Sequence, residues 1–93
     1  MNKKARSIEH EVKFWEVSHR RLGFSDEELK VLFPQGTNRR FKLVIEGTKL
    51  LERRIDKQRR VWIGRSGSQH LHEGDILVCS LDSDGTIVIT KKS

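Results

Sequence analysis

The eight residues from Arg53 to Arg60, RRIDKQRR, hold five cations: Arg53, Arg54, Lys57, Arg59 and Arg60. Guanidinium groups pair bidentately with phosphate oxygens and fork onto the guanine edge in the major groove, which lysine cannot do as well. A polar tip at Asp56, Lys57 and Gln58 between two basic limbs describes a hairpin, and a two-stranded ribbon fits that groove. The competing reading is a solvated face on which Glu52 and Asp56 take some of the arginines into surface pairs. The distribution of charge favours a ligand. From Arg39 to Arg65 there are ten basic residues, the five above with Arg39, Arg40, Lys42, Lys49 and Arg65, against only Glu46, Glu52 and Asp56, while the rest of the chain carries nine basic and ten acidic groups. The excess of +6 therefore lies in one segment, as a surface for a polyanion requires and mere solubility does not.

Other residue constellations carry less. Trp62 follows the cations; an exposed ring there would stack on a base or sugar, but alternation with Val61 and Ile63 equally allows it to face the core. Phe14 and Trp15 read as packing residues. His70 and His72 would share one face of a strand, yet no further Cys or His stands near in sequence to complete a metal site, and hydrogen bonding to a nucleic acid is the better use for them. Asp82-Ser83-Asp84-Gly85 begins like a calcium loop but lacks the later ligands, and a hairpin turn accounts for it. Glu46 and Lys49 have the spacing that ends a nuclease motif, without an earlier strand-borne acid to share a metal. With no nucleophile and base, no carboxylate pair and no phosphate-cradling glycine loop, the chain reads as a binding module without cofactor or metal, and not as an enzyme.

The elements that would position these residues are mostly strands. Residues 8–22, with apolar positions at Ile8, Val12, Trp15 and Leu22, suit a helix ending near Gly23, but Val12, Phe14 and Val17 also suit a strand. Ser25 and Glu28 form a capping box that opens a short helix carrying Leu29, Leu32 and Phe33 and stopping at Pro34. Phe41, Leu43 and Ile45 alternate with polar or smaller neighbours up to a turn at Gly47, and a second strand runs from Leu50 to Ile55. A third begins at Val61. Arg65 to Glu73 reads as an exposed polar loop, Ile76 to Cys79 as a strand buried on both faces, and Asp82 to Gly85 as the turn of a closing hairpin through Ile87, Val88 and Ile89. Five or six short strands with one or two helices predict an α+β domain that is mainly β, arranged as a small open barrel.

At 93 residues the chain supports one core, so a single domain is expected, with residues 1–6 a mobile basic arm and residues 7–91 the barrel. A lone cysteine, Cys79, fits a reducing compartment and a buried hydrophobe. The charged N-terminal residues do not read as a secretory signal, and no apolar run is long enough to span a membrane, so a cytoplasmic location without membrane contact is expected.

The order of these features resembles the DNA-binding pseudobarrel family, which includes the DNA-binding domain of plant auxin response factors and the effector or target-recognition domains of some restriction endonucleases. The pieces that carry the resemblance are Ser18 to Phe24, the helix opening at Ser25-Asp26 and closing at Leu32-Phe33-Pro34, and the strand from Phe41 to Ile45. They continue with the Arg-rich hairpin and Trp62, the Leu71-His72-Glu73-Gly74-Asp75 turn and the final hairpin. The chain lacks the longer helical insertion of the plant domains before the Gly-Asp turn and is closer to the restriction-enzyme type. The resemblance implies a prokaryotic-type barrel gripping duplex DNA with two arms, one on His19, Arg20 and Arg21 and the other on either Lys57–Arg60 or Arg65–His70. The candidate contact residues are therefore His19, Arg20, Arg21, Arg39, Arg40, Arg53, Arg54, Lys57, Arg59, Arg60, Trp62, Arg65, Gln69 and His70. Composition does not separate duplex DNA from RNA, and a protein-interaction module with an acidic partner, such as an antitoxin or a dimeric regulator of the swapped-hairpin kind, is the competing function.

Overall fold

The computed structural model describes residues 6–92. In chain order its elements are β1 (Arg6–Glu11), α1 (Phe14–His19), β2 (Arg21–Gly23), α2 (Asp26–Leu32), β3 (Phe41–Ile45), β4 (Thr48–Arg53), β5 (Arg60–Trp62), α3 (Gly64–Ser68), β6 (Ile76–Leu81) and β7 (Ile87–Lys91). The described residues are mainly β with three short helices, where one or two were expected. Of the expected arm over residues 1–6, residues 1–5 lie outside the described residues, and Arg6 already belongs to β1, opposite Leu81.

Five strands form one sheet in the order β1-β6-β7-β3-β4, while β2 and β5 form a separate antiparallel ribbon. Alternation sets the inner face: Phe41, Leu43 and Ile45 of β3, Leu77 and Cys79 of β6, and Ile87 and Ile89 of β7 are buried, whereas Lys42 and Thr90 are exposed. β6 is thus half-buried instead of buried on both faces, with Ile76 and Val78 on its partly open side. Leu43 lies opposite Ile87 and Ile45 opposite Ile89 in the parallel pairing of β3 with β7. Burial pushes the Cys79 thiol up to about 12, as expected of a core residue with no reactive role.

Residues 8–22 are neither one helix nor one strand, but β1, α1 and β2 in succession. His10 hides the strand alternation because it occupies an inward position between Ile8 and Val12 and is only 7% exposed. The capping box of α2 forms as expected: Ser25 Oγ accepts the Glu28 amide at 3.1 Å and Glu28 accepts the Ser25 amide at 2.8 Å. Residues 65–73 are not wholly an exposed loop. Their first part is α3, in which Gly67 and Ser68 are buried. A side chain at Gly67 would fall 2.8 Å from Ile63 Cβ and 3.1 Å from Ile45 Cδ1, so the glycine is what lets this backbone lie against the core. The Gly-Asp turn locks the start of β6 to the end of β1, because the Gly74 amide donates to the Val12 carbonyl and the Val12 amide to that of Asp75, both at 2.8 Å.

Among the described residues β1 and β4 are the free margins of the large sheet. α2 lies against β1 and α3 against β4. No helix of the described residues is long and apolar enough to cross a membrane.

Candidate nucleic-acid interface

The β2–β5 ribbon has two unlike faces. Leu22 and Val61, directly opposite one another, are buried, so the neighbouring pairs Arg21–Trp62 and Gly23–Arg60 must look outward. The outer face is a ladder of cations and rings. The Arg60 guanidinium lies 4.5 Å from the centre of the Trp15 ring, and that of Arg21 lies 5.7 Å from the centre of Trp62. Trp15 reaches this face from α1 by lying over Gly23, where an added Cβ would come within 2.7 Å of the ring. His19, one helical turn after Trp15, meets it edge-on at 6.4 Å. Trp62 is 48% exposed, so alternation places it outward and Val61 and Ile63 in the core.

Each of the two sequence segments that supply this face contains one cationic residue in the left-handed backbone region. Arg20, with φ of 58°, ends α1, and its carbonyl accepts the amides of Ile63 at 2.9 Å and Gly64 at 3.3 Å. Arg59, with φ of 64°, sits in the turn before β5, and its carbonyl accepts the Phe24 amide at 2.9 Å. Non-glycine residues adopt this region seldom and mostly where surrounding structure fixes them. Asp56 supplies that fixing at the turn: its carboxylate accepts the amides of Gln58 at 2.8 Å and Arg60 at 3.0 Å.

A buried polar hub anchors α1 and β2 beneath. Glu16 is 1% exposed and accepts the amides of Lys13 at 2.8 Å and Gly23 at 2.9 Å, as well as His10 Nε2 at 2.7 Å. The other ring nitrogen of His10 meets Glu28 at 3.1 Å. Burial works to lower the pKa of His10, but the hydrogen bonds and charges of Glu16 and then Glu28 outweigh it and raise the value.

The candidate residues thus divide into groups. His19, Arg20, Arg21, Arg60 and Trp62 lie on or beside the ribbon, joined by Arg53, whose Nε donates to the Trp62 carbonyl at 2.9 Å. Arg54, Lys57 and Arg59 are exposed on the adjoining segment, Arg59 within 3.3 Å of Asp26 in a solvated pair. Arg65 is exposed on the first turn of α3. Gln69 and His70 are tied elsewhere, the Gln69 amide to the Ser66 carbonyl at 3.2 Å and His70 Nε2 to the Thr48 hydroxyl at 2.9 Å. Arg39 and Arg40 keep different company: they line a hollow with Lys42, Glu52 and Asp84, and Arg40 lies 3.9 Å from Glu52.

Sequence reasoning missed Trp15, Gly23, Glu16 and Phe14. Phe14 is no packing residue, being 68% exposed at the start of α1. The spacing of Trp15 and His19, four apart, was the available signal that these two share a helix face. No protein-family model matches the chain, and no curated protein matches it closely enough to be a relative.

Proposed function

We propose that this protein is a non-enzymatic DNA-binding domain that grips duplex DNA with the outer face of the β2–β5 ribbon and the turn that precedes β5. The observation that carries this reading is the convergence on one small face of Arg21 and Arg60, nearly forty residues apart in sequence, each set against a tryptophan. Arginine over a ring keeps its fork of donors while its rotamers are restricted, so less freedom is lost when it meets a phosphate or a guanine edge. A surface serving only solubility has no use for such an arrangement.

The fold reading that goes with it is an open pseudobarrel in which ribbon and sheet are parts of one wall. The bonds from the Ile63 and Gly64 amides to Arg20 and from Arg53 to the Trp62 carbonyl support this, since they bridge β2, β5 and β4. The first arm is then His19 to Arg21. The second is Lys57 to Arg60 in preference to Arg65–His70, because the turn is exposed whereas α3 is seated against the core by Gly67 and Ser68. Arg54, Lys57 and Arg59 supply phosphate contacts, and Arg60, Arg21 and Trp62 face the bases.

Gel-shift titration against mixed-sequence duplex over a range of salt tests the proposal. Affinity should fall steeply with salt, and Arg59→Ala with Arg60→Ala should lower the slope by about one for each phosphate that is no longer neutralised. Undetectable binding to duplex at low salt, or tighter binding to single-stranded RNA, overturns it. A stoichiometric, salt-resistant complex with an acidic protein would point instead to the competing interaction module.

A further inference from the structure

His10, Glu16 and Glu28 come from β1, α1 and α2 and meet in one hydrogen-bonded triad, with Glu16 Oε2 at 2.7 Å from Nε2 and Glu28 Oε2 at 3.1 Å from Nδ1. Each of these two contacts needs one proton, carried either by the imidazole or by the carboxyl group at its other end. The triad therefore holds two protons when both contacts are made. Around the imidazole stand also the Phe24 ring, 5.2 Å away, and Leu77, directly opposite on β6. Cys79 of the same strand stays neutral, because burial pushes its thiol up to about 12. Glu9 and Glu11, the neighbours of His10 on β1, are exposed on the other face of the strand.

Loss of one proton leaves two lone pairs facing each other across one of the contacts, and that contact must open. Burial decides which. The Glu16 side chain is 1% exposed and is fixed by the amides of Lys13 and Gly23, whereas that of Glu28 is 22% exposed and can turn to water. The contact between Nδ1 and Glu28 is therefore the one that parts. Glu28 stands in the first turn of α2, where its other oxygen accepts the Ser25 amide. The residues on either side of Ser25 brace the turn before β5: the Phe24 amide donates to the Arg59 carbonyl at 2.9 Å, and Asp26 lies 3.3 Å from the Arg59 guanidinium. At a φ of 64°, the Arg59 backbone depends on such bracing.

We infer that the triad of Glu16, His10 and Glu28 is a proton-operated latch on the DNA-binding face, which holds the Lys57–Arg60 turn ready for duplex and releases it as pH rises. The inference rests on the DNA-binding reading above and adds regulation to it. The upward shift of the His10 pKa sets the release on the alkaline side of the ordinary histidine value of about 6.5. A released turn must be ordered again on the duplex, and that ordering weakens binding.

Glu28→Gln separates the latch from other effects of pH. Glutamine serves a capping box as glutamate does, and its amide group donates to a neutral Nδ1 or accepts from a protonated one, so the contact persists on both sides of the titration. Affinity for mixed-sequence duplex, measured at constant ionic strength between about pH 6 and about pH 9, should fall about tenfold in the wild-type protein and much less in Glu28→Gln. Any contribution from the exposed His19 is common to both proteins. In the free wild-type protein, NMR titration should show the Phe24 and Ser25 amide resonances moving with the midpoint of the His10 ring. In Glu28→Gln those movements should be largely lost. Equal pH dependence of binding in the two proteins overturns the inference, as do Phe24 and Ser25 resonances that do not follow His10. Absence of duplex binding at every pH would instead remove the DNA-binding reading, and the titration of the free proteins would then decide the latch by itself.

Discussion

His10 sits where a strand would ordinarily place a leucine or valine, and its ring is held between the carboxyl groups of Glu16 and Glu28. Its pKa in the folded state is above the unfolded value of about 6.5. A group shifted upward contributes stability that is fully present below the unfolded value and is lost as pH rises through the folded one. The melting temperature should therefore fall as pH is raised from about 6.5 and level off once the proton has left. In His10→Leu stability should drop by about 3 kcal/mol, because Glu16 is left buried without the partner that His10 supplies. A melting temperature that rises through the same interval would contradict the assignment of charge. This histidine also explains why β1 was hard to read: the sequence pattern Ile8, His10, Val12 alternates only if a histidine counts as an inward residue, and nothing local announces the distant Glu28 that makes it one.

Helix α2 was legible down to its capping box because capping chemistry is local, complete within four consecutive residues. α3 was not, since GRSGS has the composition of a loop and is helical only because Gly67 can lie against Ile63, Ile45 and Leu50. Propensity alone says that alanine at position 67 should stabilise a helix by about 1 kcal/mol. Packing reverses the sign. Gly67→Ala should destabilise the protein by about 1–3 kcal/mol in urea denaturation, as overfilled core sites do, and a gain in stability would mean that α3 stands off the sheet. The ribbon falls between these cases: β5 was visible from Val61 and Trp62, but three-residue β2 has too little length for any periodicity and is defined by its partner alone.

Across the whole molecule, the basic segment seen in the sequence separates into two neighbourhoods. Arg39 and Arg40 stand with Glu52 and Asp84, whereas Arg21, Arg60 and Trp62 share the ribbon and Arg59 opens the turn beside it. Charge counting along a chain cannot foresee this, because it is blind to the carboxylates that folding brings alongside, as Asp84 is brought from the far hairpin. Replacing Arg39 and Arg40 together by alanine should leave the salt dependence of duplex binding nearly unchanged, in contrast to the Arg59 and Arg60 pair, and equal slopes in the two double variants would show that the footprint covers both neighbourhoods. The sheet order has a consequence for biosynthesis. β7 follows every other element in sequence yet occupies the middle of the sheet, between β6 and β3. A nascent chain must carry Leu43, Ile45 and Leu77 without their central neighbour until Ile87 and Ile89 leave the ribosome, so assembly is completed in one late stroke.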